Sequence, residues 1–303
     1  MRRANCAACR CRMTAASAEQ RTRMGAAAKT GKAGFAAAWR RAGPKGPAAA
    51  ALGRRTNRPG DWRSTTMFFW DEDGVRWYQA AAAYSDFHAR LAQMIAMGLT
   101  PDDTLCDLGC GVGCLSLALA PYVREVTAVD IDARALAALR AQAAVHNAPP
   151  IRIIQAAFPD LPPDSLWDAV VCCFFGRLTD EGMLDRLLSL CRRQLIVVVN
   201  TGQKSNIAPS GRSHHQKECS NEVAALLKER GLAFRFMTAA LEFGQPADSL
   251  EDAAAFIRHY SPGCSAPQAL NHARRQAMLL PDGRYYLPNE KQFTVFFIEA
   301  RGA

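Results

Sequence analysis

One stretch of the sequence, Thr104 to Ala120, constrains the fold of this chain more than any other. It reads TLCDLGCGVGCLSLALA. Thr104 to Leu108 is a short apolar run, which predicts a buried strand. Gly109, Gly111 and Gly113 follow at every second position, and an apolar, helix-like segment comes next. Such glycines allow positive φ and remove the Cβ atoms that keep a ligand off the backbone, while the helix start offers unpaired N–H groups. The stretch therefore predicts a site for a nucleotide-like ligand.

The spacing of the glycines narrows the choice of ligand. A dinucleotide fingerprint reads G-x-G-x-x-G and seats a pyrophosphate on the helix N-terminus. Here the third glycine comes one residue sooner, and the acid Asp107 lies just before the turn. A carboxylate at that position repels a pyrophosphate but suits a ligand that carries an ammonium group. A glycine-rich turn in some other α/β protein is the alternative.

These residues carry a resemblance to a known family. Asp107, Gly109, Gly111 and Gly113 match the D-x-G-x-G-x-G first motif of the class I S-adenosylmethionine-dependent methyltransferases. The resemblance implies S-adenosyl-L-methionine as cofactor and S-adenosylhomocysteine as product. It also implies that the four motif residues and the intervening Cys110 line the cofactor site.

A second motif follows at the spacing that a Rossmann-like unit requires. Val126 to Ile131 (VTAVDI) predicts a second buried strand, which ends at Asp130, 17 residues after the third glycine. An acid at this place accepts hydrogen bonds from ribose hydroxyls. The resemblance therefore implies Asp130 as the ribose ligand, with Ile131 beside it. Asp132 is a second candidate, although an N-cap for a helix over Ala133–Val145 is the simpler interpretation.

The family resemblance predicts the architecture of residues 67–303. It implies an α/β fold, a Rossmann-like doubly wound sheet of strand order 3-2-1-4-5-7-6, with the last strand antiparallel. The remaining strands are predicted at Ile151–Ala156, Trp167–Phe175, Gln194–Asn200, Ala233–Phe243 and Gln292–Ala300. Helices are predicted at Tyr84–Met97, Thr179–Cys191, Asn221–Arg230, Ser249–Tyr260 and Ala266–Leu279. A helical cap is expected from residues 67–98 and from an insertion at about 245–283.

Two further parts of the cofactor site are less typical of the family. The family often has an acid after the third strand, but Ala157 stands there, so Phe158 packs on the adenine instead or Asp160 reaches back. The fourth strand of the family ends at the transferring methyl group, which implies a place for Cys173 in the site. The sequence CFFG that begins at Cys173 lacks the polar residues of common nucleobase and amide N-methyltransferases.

No catalytic residue is assigned by the sequence. The cofactor is already activated, so the protein mainly aligns the acceptor, and a base is needed only if the acceptor must lose a proton. His214 and His215 lie in a polar loop and titrate near neutral pH, which makes them candidate bases. Tyr78 and His88 are candidates from the predicted cap. A solvated loop and aromatic packing are the respective alternatives.

The charge of the chain is concentrated in residues 1–66. That segment holds 15 basic residues against two acidic ones, whereas the remainder carries 22 basic and 26 acidic residues. It has few aliphatic residues large enough to fill a core, which predicts disorder. It is expected to be a transit peptide, an arm for nucleic acid, or a segment outside a mature protein that starts at Met67. Cys6, Cys9 and Cys11 lack a nearby partner pair, so no metal site is expected.

Composition limits where the chain resides and what it contacts. No apolar run is long enough for a membrane span, so no membrane contact is expected. Cysteines fall within predicted strands, a usage that favours a reducing cytoplasm. A small-molecule methyltransferase is the first hypothesis, and nucleic acid is considered only through residues 1–66. The alternatives are an RNA or protein methyltransferase, a non-catalytic cofactor-binding scaffold and a nicotinamide oxidoreductase. The oligomeric state is left open.

Overall fold

A computed structural model describes residues 70–300 apart from 147–148, 163, 181, 203–205, 210–218 and 262. These residues belong to one unit that spans residues 57–303. The candidate bases His214 and His215 lie outside the described residues, as do the predictions for residues 1–66.

Seven strands of the described chain form one sheet in the order β3-β2-β1-β4-β5-β10-β6. Their bounds are β1 Thr104–Leu108, β2 Glu125–Asp130, β3 Ile151–Gln155, β4 Trp167–Cys173, β5 Cys191–Asn200, β6 Phe234–Glu242 and β10 Glu290–Glu299. The first five strands are parallel, and β10 lies antiparallel between β5 and β6. Counted along the chain, this is the predicted order 3-2-1-4-5-7-6, so the Rossmann-like fold is confirmed.

Helices cover both faces of this sheet. They are α1 Glu72–Tyr84, α2 Phe87–Ala96, α3 Cys114–Leu119, α4 Ala133–His146, α5 Met183–Ser189, α6 Ser220–Glu229, α7 Leu250–Tyr260 and α8 Ala266–Gln276. One core layer packs α5 and α6 on the sheet, and another packs α2 and α3 on its other side. Burial on both faces explains why β4 and β5 are continuous apolar runs rather than alternating ones.

The predicted cap is formed by α1, α7 and α8 together with a small sheet. This sheet has the order β7-β9-β8 and was not anticipated; its strands are β7 Gln245–Ala247, β8 Met278–Leu279 and β9 Tyr285–Leu287. Trp77 on α1 is 3% exposed and packs against Phe256 and Tyr260 of α7. Its Nε1 donates to Asp252 Oδ1 at 3.0 Å. The N-terminal helix and the insertion therefore form one cap layer.

Three predicted helices differ from those observed. The helix predicted over Tyr84–Met97 starts at Phe87, because extended backbone at Ser85 separates it from α1. The helix predicted over Thr179–Cys191 is confined to α5, since the left-handed Gly182 precedes it and Cys191 already pairs with β4. The helix predicted over Ala266–Leu279 ends at Gln276, where the chain becomes extended and enters β8.

Candidate active site

The glycine turn between β1 and α3 has the backbone that its sequence requires. Gly109, Gly111 and Gly113 have φ of 75°, 53° and 78°, a region that side chains rarely adopt. The N–H groups of Gly109 and Cys110 donate to the Val129 carbonyl at 2.8 and 3.0 Å. The turn is thereby held against the carboxyl end of β2.

Each glycine of the turn also admits a close neighbour from the same chain. A Cβ at Gly109 would lie 2.2 Å from the Phe175 ring, and one at Gly111 would lie 2.7 Å from the Trp70 ring. A Cβ at Gly113 would lie 2.2 Å from Leu139 on α4. The turn therefore has aromatic walls on its outer side and a packed helix behind it.

Asp130 stands at the end of β2 with its carboxylate against this turn. Its Oδ2 accepts from Gly111 N at 2.8 Å and its Oδ1 from Asp132 N at 2.9 Å. Burial raises the pKa of Asp130, although these backbone hydrogen bonds oppose the rise. Each carboxylate oxygen has about two acceptor sites, so one on each oxygen remains for a diol. The residues present thus fit the ribose of an adenosyl group.

Asp107 lies beneath the same turn and is almost fully buried. It is 1% exposed, and its Oδ2 accepts from Ser116 Oγ at 2.5 Å. Burial raises its pKa from 3.8 to about 6, and the Ser116 hydrogen bond only partly offsets that effect. A carboxylate in so dry a place gains strongly from a positive charge nearby. This fits the ammonium group of a bound amino-acid moiety.

Asp132 acts as the N-cap of α4, the simpler of its two interpretations. Its Oδ1 accepts from Arg134 N at 2.9 Å, and its Oδ2 accepts from Trp70 N at 3.0 Å. The Arg134 guanidinium in turn donates to the Trp70 carbonyl at 2.8 Å. Asp132 and Arg134 therefore hold Trp70 over the glycine turn, a role for Trp70 that sequence reasoning missed.

The structure brings the predicted adenine side together around two phenylalanines. Phe158 opens a short 3₁₀ turn after β3, and its ring lies 6.2 Å from the Phe175 ring in an edge-to-face arrangement. Ala157 directly precedes this turn, and Ile131 is 39% exposed after β2. An apolar slot at this place suits a flat ring.

A residue with a strained backbone, Phe174, follows β4, and its ring and that of Phe175 contact different parts of the structure. Phe174 has φ of 52°, which is costly for a residue with a Cβ. It follows Cys173, the predicted residue nearest the transferred group, and precedes Phe175. Phe175 lies on the glycine turn, whereas Phe174 lies against Lys291 and Phe293. The Phe175 ring therefore lies on the cofactor side. The Phe174 ring lies in a neighbouring cluster of side chains around Lys291, which is called the pocket below.

The candidates Tyr78 and His88 meet in that pocket. Tyr78 Oη and His88 Nε2 lie 2.9 Å apart, and both side chains contact Phe243. Burial lowers the pKa of His88 to about 3, with a further contribution from the Lys291 charge, and burial raises the pKa of Tyr78 well above 10. Both groups are therefore neutral at physiological pH. A histidine so hard to protonate is a poor general base.

Lys291 is the charged residue of this pocket, and sequence reasoning missed it. Its Nζ lies 4.6 Å from the ring centroid of Phe243, 5.0 Å from that of Phe174 and 5.6 Å from that of Phe87. The signal was available in the predicted topology. An antiparallel last strand beside the fifth begins at the edge where the parallel strands end, and Lys291 stands at its start.

The comparisons with known proteins agree with this geometry. Residues 105–196, from β1 into β5, match the methyltransferase domain family. The Ribosomal RNA small subunit methyltransferase A of Thermobifida fusca (strain YX) is 49% identical over 51 residues, which are 17% of this chain. That match covers only 18% of the relative's own length.

Solved structures of related fold include two proteins of low sequence identity. The YcgJ protein of Bacillus subtilis is 18% identical, with a TM-score of 0.49, over 71% of this chain and 99% of the other. Magnesium protoporphyrin IX methyltransferase of Synechocystis PCC 6803 is 16% identical, with a TM-score of 0.40, over 72% and 83%.

The family assignment follows from the matched domain and the sheet. The matched residues contain the glycine turn, Asp107 and Asp130, and the sheet order includes the antiparallel strand that the family resemblance implied. Residues 105–196 therefore form a methyltransferase domain, and its glycine turn and sheet order are those implied by the resemblance to the class I S-adenosylmethionine-dependent methyltransferases.

Proposed function

We propose that this protein transfers a methyl group from S-adenosyl-L-methionine to a small molecule. The observation that supports a small acceptor is the cluster of packed side chains near Cys173, beneath the cap helix α1. It is surrounded by the cap helix α1, by α2, by the start of β10 and by the chain after β6. The side chains that line it are Tyr78, His88, Phe174, Phe243 and Lys291. An acceptor bound against this cluster would be shielded from water by the cap, which would leave little room for a polymer.

We further propose which residues hold the cofactor. Asp130 accepts the two ribose hydroxyls, and Asp107 faces the ammonium group from beneath the turn. The glycine turn supplies backbone close to the ligand, with Trp70 as its outer wall. The apolar contacts to the adenine and the methyl group come from Cys110, Ile131, Ala157, Phe158 and Cys173.

The protein's own contribution to the reaction is alignment and exclusion of water. When bound, the cofactor supplies an activated methyl group on a sulfonium sulfur. Cys173 and Phe174 border the place of transfer, and the Tyr78–His88 pair offers a neutral hydrogen-bonding edge to the acceptor. Holding the acceptor in line, in a dry pocket, is the main source of rate in such a transfer.

The test of the cofactor assignment is a titration with S-adenosylhomocysteine. We expect the wild-type chain to bind it and Asp130→Asn to bind about tenfold to a hundredfold more weakly, because charge-assisted hydrogen bonds to the ribose are lost. Asp102→Asn is the matched control, since this exposed carboxylate precedes β1 at the opposite edge of the sheet. Equal affinities in all three proteins would overturn the assignment of Asp130.

RNA is the rival substrate class, and one observation favours it. The curated relative with 49% identity over 51 residues is named as a ribosomal RNA methyltransferase. Its matched stretch is a sixth of this chain, and the basic charge that RNA binding requires lies in residues 1–66. The small-molecule proposal predicts that the remainder functions without that segment.

A cytoplasmic location is also part of the proposal. It is supported by the eight cysteines of the described chain, all of which carry free thiols. Among the described helices, none is both long and apolar enough to cross a lipid bilayer.

A further inference from the structure

Lys291 stands at the edge of the sheet where the parallel strands end. β10 runs antiparallel to β5, and Phe293 pairs with Asn200 at the carboxyl end of β5. Lys291, two residues earlier in β10, is therefore at the same edge of the sheet as Cys173 and Asp130. Its ammonium group contacts Phe174, the residue that follows Cys173.

The surroundings of this ammonium group are aromatic on three sides. The faces of Phe87, Phe174 and Phe243 stabilise a cation but accept no conventional hydrogen bond. Within the part of the chain that the structure describes, Lys291 Nζ makes no hydrogen bond and no ion pair. Lys291 is partly buried, an ammonium group has three donors, and a cation partly withdrawn from water gains from a nearby anion.

The ionisable groups around Lys291 do not provide such an anion. His88 is neutral, because burial and Lys291 itself lower its pKa to about 3. Burial lowers the pKa of Lys291, and only an ionised Cys173 would oppose this effect. The described residues of the pocket therefore provide a positive charge, apolar walls and the neutral Tyr78–His88 pair, but no negative charge.

We propose that Lys291 binds an anionic oxygen of the methyl acceptor, so that the substrate is an apolar organic acid, either a carboxylate or an acidic phenol or enol. This inference rests on the proposed function. The phenylalanine rings contact the apolar body, and Lys291 holds the oxyanion at the end of β4. Lys291 is thus a substrate-binding residue that selects the charge of the acceptor.

An anionic acceptor also explains how the site works without a strong base. Its oxygen lone pair forms the new oxygen–carbon bond while the sulfur–carbon bond of the sulfonium breaks and sulfur keeps that electron pair. The two opposite charges cancel, and no proton is released. Neither His88 nor Tyr78 then needs to accept a proton.

The experiment measures binding of acidic probes to the full chain saturated with S-adenosylhomocysteine. The probes are benzoate, 4-phenylbutyrate and decanoate, each compared with its amide, and 4-nitrophenol, compared with its methyl ether. Calorimetric titration is performed at pH 8 for wild type, Lys291→Met and Lys291→Arg. Lys228→Met is the matched control, since Lys228 is an exposed lysine on α6.

We expect wild type to bind at least one acid about tenfold or more tightly than its neutral counterpart. Lys291→Met should lose this preference, Lys291→Arg should keep part of it, and Lys228→Met should not change it. Preference among the carboxylates identifies a carboxylate acceptor, whereas preference for the phenol identifies a phenolate or enolate. The melting temperature of unliganded Lys291→Met should equal or exceed that of wild type, because an unpaired charge is replaced by an apolar side chain of similar length.

Three results would overturn the inference. One is equal binding of acids and neutral counterparts, or no binding of any acid, while S-adenosylhomocysteine binds. Another is an acid preference that persists in Lys291→Met. The third is a clear loss of stability in Lys291→Met, which would make the lysine a structural cation. Failure of S-adenosylhomocysteine to bind the folded wild type is a separate result and would overturn the proposed function instead.

Discussion

Asp107 is the residue at which stability and ligand binding conflict most directly. Its carboxylate is buried beneath the glycine turn and has a pKa of about 6 rather than 3.8. The folded protein therefore holds this proton more tightly than the unfolded chain does. Such a group stabilises the fold fully below the unfolded pKa and loses that contribution as pH rises through about 6. At neutral pH the fold carries a buried charge whose cost the Ser116 hydrogen bond offsets in part, and the proposed ammonium contact would offset more of it.

Asp107→Asn should remove this cost. We expect its free energy of unfolding at pH 7.5 to exceed that of wild type by up to about 3 kcal/mol, the value of a shift of about two pKa units. Ser116 can still donate to the amide oxygen. Urea unfolding from pH 4 to pH 8 should show the wild type losing stability relative to the variant between pH 4 and pH 6. Parallel pH profiles for the two proteins would contradict the shifted pKa.

Gly113 has both a positive φ and closely packed neighbours, and a substitution can show which of the two requires glycine. Gly113→Ala brings a strained φ of 78° together with a contact of 2.2 Å to Leu139. Gly231→Ala is the matched control, because its φ is 61° and nothing lies within 4 Å of the added Cβ. We expect both variants to lose stability, and Gly113→Ala to lose about 1–3 kcal/mol more, because Leu139 must move. Equal losses, measured by urea unfolding, would show that backbone strain alone explains both glycines.

At the scale of elements, Trp77 makes the main packing contact between α1 and α7 in the cap. Asp252 at the start of α7 accepts hydrogen bonds from Trp77 Nε1 and Arg76 Nη2, both at 3.0 Å. The Trp77 ring packs against Phe256 and the His259 ring. Two segments far apart in the sequence, α1 and the insertion, are thus joined through Trp77 and Arg76. The pocket that contains Lys291 is bounded by the same α1.

Trp77→Ala should loosen the cap more than the sheet. We expect hydrogen-exchange protection to fall in α1 and α7 while β4 and β5 stay protected, because the sheet has its own core. Trp77→Phe keeps the packing and loses only the hydrogen bond to Asp252, so it should cost about 1 kcal/mol. Trp167→Ala is the control, since Trp167 belongs to the core of the main sheet and should lower protection there as well. A uniform loss of protection in Trp77→Ala would show that cap and sheet unfold together.

At the scale of the whole molecule, basic charge is concentrated in one segment of the sequence. Residues 1–66 hold 15 basic residues, whereas the rest of the chain has a small acidic excess. The proposed cofactor site and acceptor pocket are made entirely of residues between Trp70 and Lys291. Affinity for polyanions should therefore reside in the first segment and affinity for S-adenosylhomocysteine in the remainder.

Truncation to a chain starting at Met67 tests this division. We expect the affinity for S-adenosylhomocysteine to stay within about twofold, because every proposed ligand residue is retained. Binding of a model RNA hairpin, and its decrease with rising salt, should disappear with the segment. Salt-dependent RNA binding of undiminished strength in the truncated chain would instead support RNA as the substrate.

The sequence by itself determined the sheet and brought together the residues of the proposed cofactor site. The glycine turn and the acids Asp107 and Asp130 lie next to one another along neighbouring parallel strands, so local patterns were sufficient to predict their meeting. The same holds for the Asp132 N-cap and for the order of the strands. These features depend on backbone conformation and on burial along a strand, both of which are encoded over a few residues.

The acceptor side was decided by tertiary structure. Lys291, Phe174 and Tyr78 come from the last strand, the end of the fourth strand and the cap, more than 200 residues apart at the extremes. None of them belongs to a local motif, and a lysine at the start of a strand does not by itself indicate a function. Their chemistry arises because the antiparallel last strand and the packing of α1 on α7 bring these side chains to one edge of the sheet. A pocket made of distant segments depends on packing in three dimensions, which no short stretch of the sequence specifies.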